Sequence, residues 1–317
     1  MAGKYSDERL ELPPSYTPGK IGVITVLYGS ASVLGDFFAS IEQQTYTNFK
    51  VYCVDNRSTD SSVAQCRARG ERYVVIENGS NLGVAAGNNI GTRAAIMDGC
   101  EFVLYLNNDV TFLPPLFEQL LDGLKQYGCS MTTPMMYYHD RPEVIWVAGG
   151  YFQPWLGYRC LHFGDGDVDR GQYRVPRQIS YTPTCCVLVQ RRLFSTIGMM
   201  DERYFVYYDD TDFMLRAHQA GETLYLLPHA KLWHKVSSLV GTSSPFRTRF
   251  VHRNHALYGH KHLPVLFAYF ISFVYCTGYL FLPLTGRISL SEARDRIKFW
   301  CQGIRTASSL QVSQCGD

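Results

Sequence analysis

Charged side chains are scarce in this sequence. They make up 18% of the 317 residues, and the net charge is +2. Without a basic surplus, no bulk electrostatic feature indicates a nucleic-acid partner. The 10 cysteines are scattered and include no CxxC pair, which argues against a zinc site. We therefore expect free thiols in a reducing cytoplasm.

The N-terminal segment lacks the apolar core of a signal peptide. Residues 1–20 are rich in Pro and charge, so we predict a loose leader there and no export. No internal repeat or low-complexity run follows. With 46% hydrophobic residues, the remaining chain is long enough for one large domain, or for one domain plus an extension.

Short apolar runs alternate with helical patterns over the first hundred residues. We predict strands at 21–27, 49–54, 73–76 and 102–106. Helices are predicted at 33–44 and 85–98, and another helix follows the second strand and ends at about residue 69. This alternation predicts an α/β fold with a doubly wound, mostly parallel sheet. Further strands are predicted at 181–190, 223–227 and 231–234. A short helix is predicted at 191–197, and another begins at the acids 209–212 and ends at 220.

The predicted strand at 102–106 ends abruptly in Asn107, Asn108 and Asp109. Ligands of open α/β sheets lie at the carboxyl ends of the strands. A carboxylate there suits a hard divalent cation that is bound mostly by substrate phosphates. The alternative is a polar turn that caps the next helix.

Asp55 ends the second predicted strand, where it is a candidate for holding a nucleoside. Rossmann oxidoreductases place an acid at this point, but they also need GxGxxG after the first strand. The turn here reads YGSASV from Tyr28 to Val33, which does not match. A simple turn-forming role for Asp55 stays open.

Three acids, Asp209, Asp210 and Asp212, begin a predicted helix. They could simply complement the helix dipole, with Asp212 pairing with Arg216 at i,i+4. Alternatively, one of them is a general base for a hydroxyl nucleophile. His234 follows a short strand and is a metal-ligand candidate only if it reaches an ion held by Asp109.

Residues 263–286 contain no charged side chain. This length is sufficient to cross a bilayer, which takes roughly 20 residues. Pro264, Gly278 and Pro283 interrupt the segment, and basic residues flank it. An interfacial or re-entrant helical pair, a true span and a buried soluble helix are the three possibilities.

Several segments occur in an order and at spacings that resemble family 2 glycosyltransferases of the GT-A fold. The likeness is to the rhamnosyltransferase-like and galactofuranosyltransferase-like branch, and it runs from about Ile21 to His234. The segments that carry it are residues 54–60, 77–89, 106–109, 208–216 and 233–234. A weaker likeness occurs at Arg253-Asn254.

The resemblance implies roles on the donor side. Asp55, Asn81, Gly83 and Asn108 would bind the nucleotide-sugar donor. Residues 107–109 would be the metal motif, although Asn replaces its first acid. Binding of Mg²⁺ or Mn²⁺ would then depend mainly on Asp109, together with His234.

On the acceptor side, the resemblance implies that Asp210 is the catalytic base and Asp209 an acceptor-orienting neighbour. Trp155, Thr184 and Cys185 would lie near the acceptor. We therefore expect a GT-A domain at 21–235 and a helical, membrane-associating region at 236–317.

The expected function is metal-dependent, inverting transfer of a sugar from a nucleotide-diphosphate donor to a hydroxyl. The donor would be dTDP-rhamnose or a UDP-sugar, and the acceptor a glycan or lipid-linked molecule at the cytoplasmic face of the membrane. The alternatives are a nucleotide-dependent oxidoreductase and a non-catalytic membrane adaptor that binds nucleotide sugars.

Overall fold

The computed structural model describes residues 9–236 and 244–308. The strands are β1 (Thr17–Leu27), β2 (Phe49–Asp55), β3 (Tyr73–Glu77), β4 (Cys100–Leu106), β5 (Val110–Phe112), β6 (Met131–Tyr138), β7 (Ile145–Val147), β8 (Gly150–Gln153), β9 (Arg159–His162), β10 (Arg177–Ile179), β11 (Cys186–Gln190) and β12 (Leu224–His234). The α-helices are α1 (Leu34–Glu42), α2 (Ser62–Arg67), α3 (Gly83–Met97), α4 (Leu116–Tyr127), α5 (Leu193–Ile197), α6 (Asp209–Gln219), α7 (Pro245–His262), α8 (Val265–Phe281) and α9 (Leu290–Ser308).

Half of the main sheet is parallel, in the order β3-β2-β1-β4. Leu27 pairs with Asp55, and Ile24 pairs with Tyr105, so these strands end at one edge. The predicted strand–helix alternation is confirmed. Apolar runs form these strands because both sheet faces are covered: Val23, Ile24, Val103 and Leu104 are fully buried.

The other half of the sheet makes it mixed rather than mostly parallel. β11 runs antiparallel to both β4 and β6, whereas β12 is parallel to β6. β12 joins the predicted strands at 223–227 and 231–234 across a register shift between Leu227 and Lys231. β8 and β9 form a separate antiparallel hairpin, which the sequence analysis did not predict.

The leader is predicted to extend to residue 20, but β1 already begins at Thr17. Residues 1–8 lie outside the described residues. The described part of the leader is attached to the domain: the Leu10 N–H donates to the Phe194 carbonyl at 3.1 Å. Arg191 also donates to the carbonyls of Pro13 and Ser15.

A buried ion cluster joins α6 to α7. The Asp212 carboxylate is fully buried and accepts from Arg216 Nε at 2.8 Å, as the i,i+4 spacing predicts. Lys261 Nζ and His262 Nε2 also contact it, at 2.9 Å and 2.7 Å. Burial opposes the charge, but Lys261 and Arg216 hold the pKa of Asp212 well below its usual range. The Asp212 carboxylate therefore holds α6 and α7 together.

The C-terminal region is helical, as expected. α9 packs along α7, and α8 lies outside this pair. The segment Val265–Thr285 is long and apolar enough to cross a membrane, yet only 17% of it is buried. The helix therefore presents most of its apolar surface to the outside of the protein.

Candidate active site

A cavity of about 650 Å³ opens at the shared carboxyl edge of the parallel strands. We call it the edge cavity. Its lining comes from the ends of β1, β2 and β4, from the start of α3, and from the loop before α6. The lining includes Val26, Ser30, Asn56, Asn81, Gly83, Asn88, Asn107, Asn108, Asp109, Phe205, Val206 and Phe246. This is the position at which open α/β sheets bind ligands.

The turn after β4 supplies three consecutive polar residues of this lining. Asn107 is exposed, whereas Asn108 is buried and its amide donates to the Val26 carbonyl at 2.7 Å. Asn108 therefore fixes the turn against the end of β1. The Asn107 N–H donates to the Cys185 carbonyl at 2.9 Å, which fixes the other side. Asp109 is half-buried and lines the cavity.

The structure brings His234 to Asp109, although 125 residues separate them. β12 pairs antiparallel with β5, which follows Asp109 directly. His234 Nε2 lies 3.1 Å from Asp109 Oδ1. Burial opposes a charge on the ring, yet Cys185 and Asp109 raise the pKa of His234 to about 10. A metal ion at this nitrogen would therefore displace a proton.

This pair fits two adjacent ligands of one ion. Octahedral Mg²⁺, with bonds of 2.0–2.1 Å, places neighbouring ligand atoms about 3 Å apart. Within the described ranges, no group of three or more His, Cys, Asp and Glu side chains could hold a metal ion. Any ion at Asp109 and His234 would therefore take most of its ligands from a substrate or from water.

Asp55 lies beside the edge cavity rather than in its lining. Its carboxylate is 2% exposed and accepts the Ser58 N–H at 3.0 Å and 3.2 Å. The next residue, Asn56, does line the cavity, and its amide donates to the Gly83 carbonyl at 2.9 Å. Asn81 caps the same turn by accepting the Gly83 N–H at 3.0 Å.

Gly83 is the point where α3 touches the loop before α6. Its φ is +85°, and a Cβ built there would lie 2.4 Å from the Phe205 carbonyl oxygen. The Val84 N–H donates to that same oxygen at 2.6 Å. Only glycine allows both the left-handed backbone and this close approach.

We expect Gly83→Ala to destabilise the protein by about 1–3 kcal/mol, because a non-glycine residue at positive φ is strained. The new Cβ would also displace Phe205 from the edge cavity. Gly79→Ala is the matched control, because no heavy atom lies within 4 Å of its Cβ position and its φ is not positive. Urea unfolding of both variants tests this, and equal losses would contradict it.

The loop Phe205–Tyr208 is strained and is held by one side chain. Phe205, Tyr207 and Tyr208 all have positive φ, between 64° and 68°. Such residues cost of order 1–3 kcal/mol each and persist only where their surroundings enforce them. Here the fully buried Asn254 of α7 donates to the carbonyls of Tyr204, Val206 and Tyr207 at 2.8–2.9 Å.

Directly after this loop, α6 begins with Asp209 and Asp210. Asp210 Oδ2 accepts from the Tyr181 hydroxyl at 2.9 Å, and Oδ1 accepts from the Thr211 N–H at 2.7 Å. Burial raises the pKa of the Asp210 carboxyl, although Tyr181 and Thr211 lower it. Burial and the charge of Asp210 raise the pKa of Asp209 well above its usual range. The pair therefore binds protons as a coupled unit.

A second cavity lies on the other side of the strained loop. It measures about 630 Å³ and is bounded by the β8–β9 hairpin, α7 and α8. We call it the hairpin groove. Trp155, predicted near the acceptor, lines it, together with Tyr208 and Thr211.

The structure thus divides the predicted site residues between two cavities. Asn81, Gly83, Asn108 and Asp109 line the edge cavity, with His234 in contact with Asp109. Trp155 lines the hairpin groove. Thr184 and Cys185 are buried, and Cys185 lies beside Asn107 at the end of β4. Asp209 and Asp210 follow the loop that contributes to both cavities.

Comparison with known proteins places this arrangement in a family. The family model for glycosyl transferase family 2 matches residues 22–198. The chain belongs to this family. The matched region contains β1 to β4 and their polar ends, and it is consistent with the glycosyltransferase interpretation of the sequence rather than with an oxidoreductase or a binding adaptor.

Curated relatives agree with the transferase activity. The chain is 25% identical over 238 residues to the dTDP-rhamnosyl transferase RfbF of Shigella flexneri, covering 72% of this chain and 77% of that protein. It is 26% identical over 245 residues to the N-acetylglucosaminyl-diphospho-decaprenol L-rhamnosyltransferase of Mycobacterium tuberculosis, covering 69% and 77%. The protein is a glycosyltransferase with rhamnosyltransferase relatives.

Solved structures share the fold. S. aureus TarS 1-349 matches with a TM-score of 0.57 at 16% identity, covering 90% of this chain and 81% of that chain. GalNAc-T7, solved with UDP, GalNAc and Mn²⁺, matches with a TM-score of 0.57 at 14% identity. That match covers 75% of this chain and 48% of the GalNAc-T7 chain, so this chain spans about half its length. The GT-A fold expected from the resemblance is confirmed.

Some residues of the site were given no role from the sequence, although Asn56 and Asn88 lie in the segments that carry the family resemblance. Asn56 and Asn88 line the edge cavity, and Tyr181 donates to Asp210. Asn254 holds the strained loop. The only sequence signal for Asn254 was the weak family likeness at Arg253-Asn254, which assigned it no role.

Proposed function

We propose that the enzyme transfers a sugar from a nucleotide-diphosphate donor to a hydroxyl, with inversion at the anomeric carbon. dTDP-rhamnose is the favoured donor, followed by UDP-sugars. The observation that supports this best is the pairing of Asp109 with His234 at the edge cavity, 3.1 Å apart. The names of the rhamnosyltransferase relatives favour the rhamnose donor.

The edge cavity would hold the donor. Asn56, Asn81 and Gly83 line this cavity beside the buried Asp55, so they would contact the nucleoside. Asp109 and His234 would hold Mg²⁺ or Mn²⁺ against the diphosphate. When bound, the ion neutralises the charge that develops on the leaving diphosphate.

Asp210 would act as the general base. The acceptor hydroxyl gives its proton to the Asp210 carboxylate while its oxygen forms a bond to the anomeric carbon. The bond from that carbon to the diphosphate oxygen breaks, and the nucleoside diphosphate leaves with the electron pair. A single displacement inverts the configuration, by the same logic that separates inverting from retaining glycosidases. Asp209 would orient the acceptor.

We propose a glycan or lipid-linked acceptor in cell-surface polysaccharide synthesis. One relative is named for a diphospho-decaprenol substrate, and α8 presents an exposed apolar surface. The enzyme would work at the cytoplasmic face of the membrane, attached through residues 263–286. The GT-A domain would span residues 21–235 and the membrane-associating region residues 236–317, of which 237–243 and 309–317 lie outside the described residues.

A donor screen tests this function. In the presence of Mn²⁺, we expect dTDP-rhamnose or a UDP-sugar to raise the Tm, because a ligand at 100 times its Kd stabilises the folded state by about 2.7 kcal/mol. NADH is the control for the oxidoreductase alternative and should cause no shift. If no nucleotide sugar shifts the Tm or releases nucleoside diphosphate on incubation, the proposed function is wrong.

A further inference from the structure

Part of the hairpin groove is lined by apolar side chains that the sugar chemistry does not require. Trp155 and Leu156, at the tip of the β8–β9 hairpin, form one side. Leu263, Phe267 and Ile271, from the end of α7 and from α8, form the other. A volume of about 630 Å³ is within the range of sites that bury a small organic ligand. Sugars are polar, so an apolar groove of this size is suited to a different part of the acceptor.

One end of the groove reaches the proposed base. Thr211 lines the groove, and its N–H donates to Asp210 Oδ1 at 2.7 Å. Tyr208 and Cys160 also line the groove. A ligand in the groove would therefore end next to the carboxylate that receives the acceptor proton.

The other end continues into the exposed face of α8. Phe270 belongs to the groove lining and is also 58% exposed. Beyond it, Leu266 is 86% exposed and Phe273 is 69% exposed. An exposed apolar face of this kind, on a segment without charged side chains, is typical of a helix that lies in a membrane interface. The groove thus connects the active site with the surface that would meet the membrane.

Among the residues that the structure describes, Arg159 is the single Arg or Lys side chain in the lining of the hairpin groove. Arg159 of β9 lines the groove, is exposed, and forms no ion pair within the described part of the chain. The guanidinium group is well suited to phosphate, because it can donate two parallel hydrogen bonds. An arginine without an ion pair to any described residue, beside apolar side chains in one groove, fits a ligand that combines an anion with a hydrocarbon chain.

We propose that the hairpin groove binds the lipid part of a lipid-linked acceptor, with Arg159 on its phosphate and the start of its hydrocarbon chain between the hairpin and α8. This inference rests on the lipid-linked acceptor of the proposed function. The acceptor would enter from the bilayer along α8, and its sugar hydroxyl would arrive at Asp210.

Vesicle flotation with undecaprenyl phosphate as the probe tests the groove directly. Three vesicle types are compared: phosphatidylcholine alone, phosphatidylcholine with phosphatidylglycerol, and phosphatidylcholine with an equal charge of undecaprenyl phosphate. We expect the full-length protein to bind the third type about tenfold more tightly than the second. Arg159→Gln and Trp155→Ala, both at exposed positions, should abolish that preference. A preference of about tenfold corresponds to one charge-assisted phosphate contact.

Two further variants separate the groove from the membrane surface. Leu266→Ser lies on α8 outside the groove lining, so it should weaken binding to all three vesicle types equally. Met97→Ser, at the exposed end of α3, should change nothing. Equal binding to both anionic vesicle types, or a preference that survives in Arg159→Gln, would overturn the proposal.

The donor screen, run on the same preparations, distinguishes the two possible failures. If the wild-type protein shows no lipid preference but binds nucleotide sugars, the groove proposal is refuted and the transferase function stands. Absence of nucleotide-sugar binding would refute the proposed function itself. Because the vesicle measurement needs no turnover, its result can be read in either case.

Discussion

Asp210→Asn is expected to lower the rate of sugar transfer by about 10²–10⁴-fold, the usual contribution of a general base. The amide keeps the shape of the carboxylate and can still accept hydrogen bonds, but it cannot take up the acceptor proton. Donor binding should be nearly unchanged, because Asp210 is not among the residues that line the edge cavity. Initial rates and a nucleotide-sugar titration measure the two quantities separately.

The pH dependence provides a second measurement on Asp210. Burial raises the pKa of its carboxyl above 3.8, and the base must be ionised to act. The rate of sugar transfer should therefore fall as the pH drops through this raised pKa. In Asp210→Asn, this decrease of the rate at low pH should be absent. Asp122→Asn, at an exposed position of α4, is the matched control. Full turnover by Asp210→Asn would remove Asp210 from the role of base.

Chelation with EDTA is expected to reduce transfer by at least about 10²-fold, since Lewis-acid stabilisation of a leaving group is worth several kcal/mol. Adding Mn²⁺ or Mg²⁺ should restore the rate. Asp109→Asn removes one of the two proposed protein ligands, so it should require more Mn²⁺ for the same rate. The Asn107 that replaces the first acid of the motif makes this dependence on Asp109 stronger.

A readout other than turnover tests the metal assignment. The electron paramagnetic resonance signal of Mn²⁺, titrated with protein and nucleoside diphosphate, reports ion binding directly. The wild-type protein should bind the ion only together with the nucleotide, because two side chains supply too few ligands. Asp109→Asn should bind it more weakly, whereas Asp122→Asn should not differ from wild type. Transfer that continues unchanged in chelator would exclude Asp109 from this role.

The parallel half of the sheet was predictable because its signals are local. Each of β1 to β4 is an apolar run that ends in a polar turn, and each helix that follows β1, β2 or β3 has its own pattern. The other half, in which parallel and antiparallel pairs are mixed, carries weaker signals. β6 contains Pro134, which normally argues against a central strand. The neighbouring strand β12 has its register shift directly after Leu227, the residue that pairs with Pro134. This shift lets the sheet accept the proline, and no local sequence pattern predicts it.

The candidate site likewise combines residues with a local sequence signal and residues without one. Asp109 and Asp210 could be predicted as site residues from the sequence, because each lies where a strand or a helix meets a turn. The partners that define their surroundings come from far along the chain. His234 meets Asp109 only through the pairing of β5 with β12. The three carbonyls that accept hydrogen bonds from Asn254 belong to residues 47–50 positions earlier. An asparagine within a helix gives no sequence signal for such a role.

Asn254 also bears on how this enzyme can be engineered. The residue that enforces the backbone beside the proposed base belongs to α7, beyond the expected boundary at residue 235. A shortened version that stops at the end of β12 would lose both the apolar helix α8 and the side chain that supports the loop before α6. Soluble forms for crystallography or assays are therefore better obtained by replacing exposed apolar residues of α8 while keeping α7 and α9 intact.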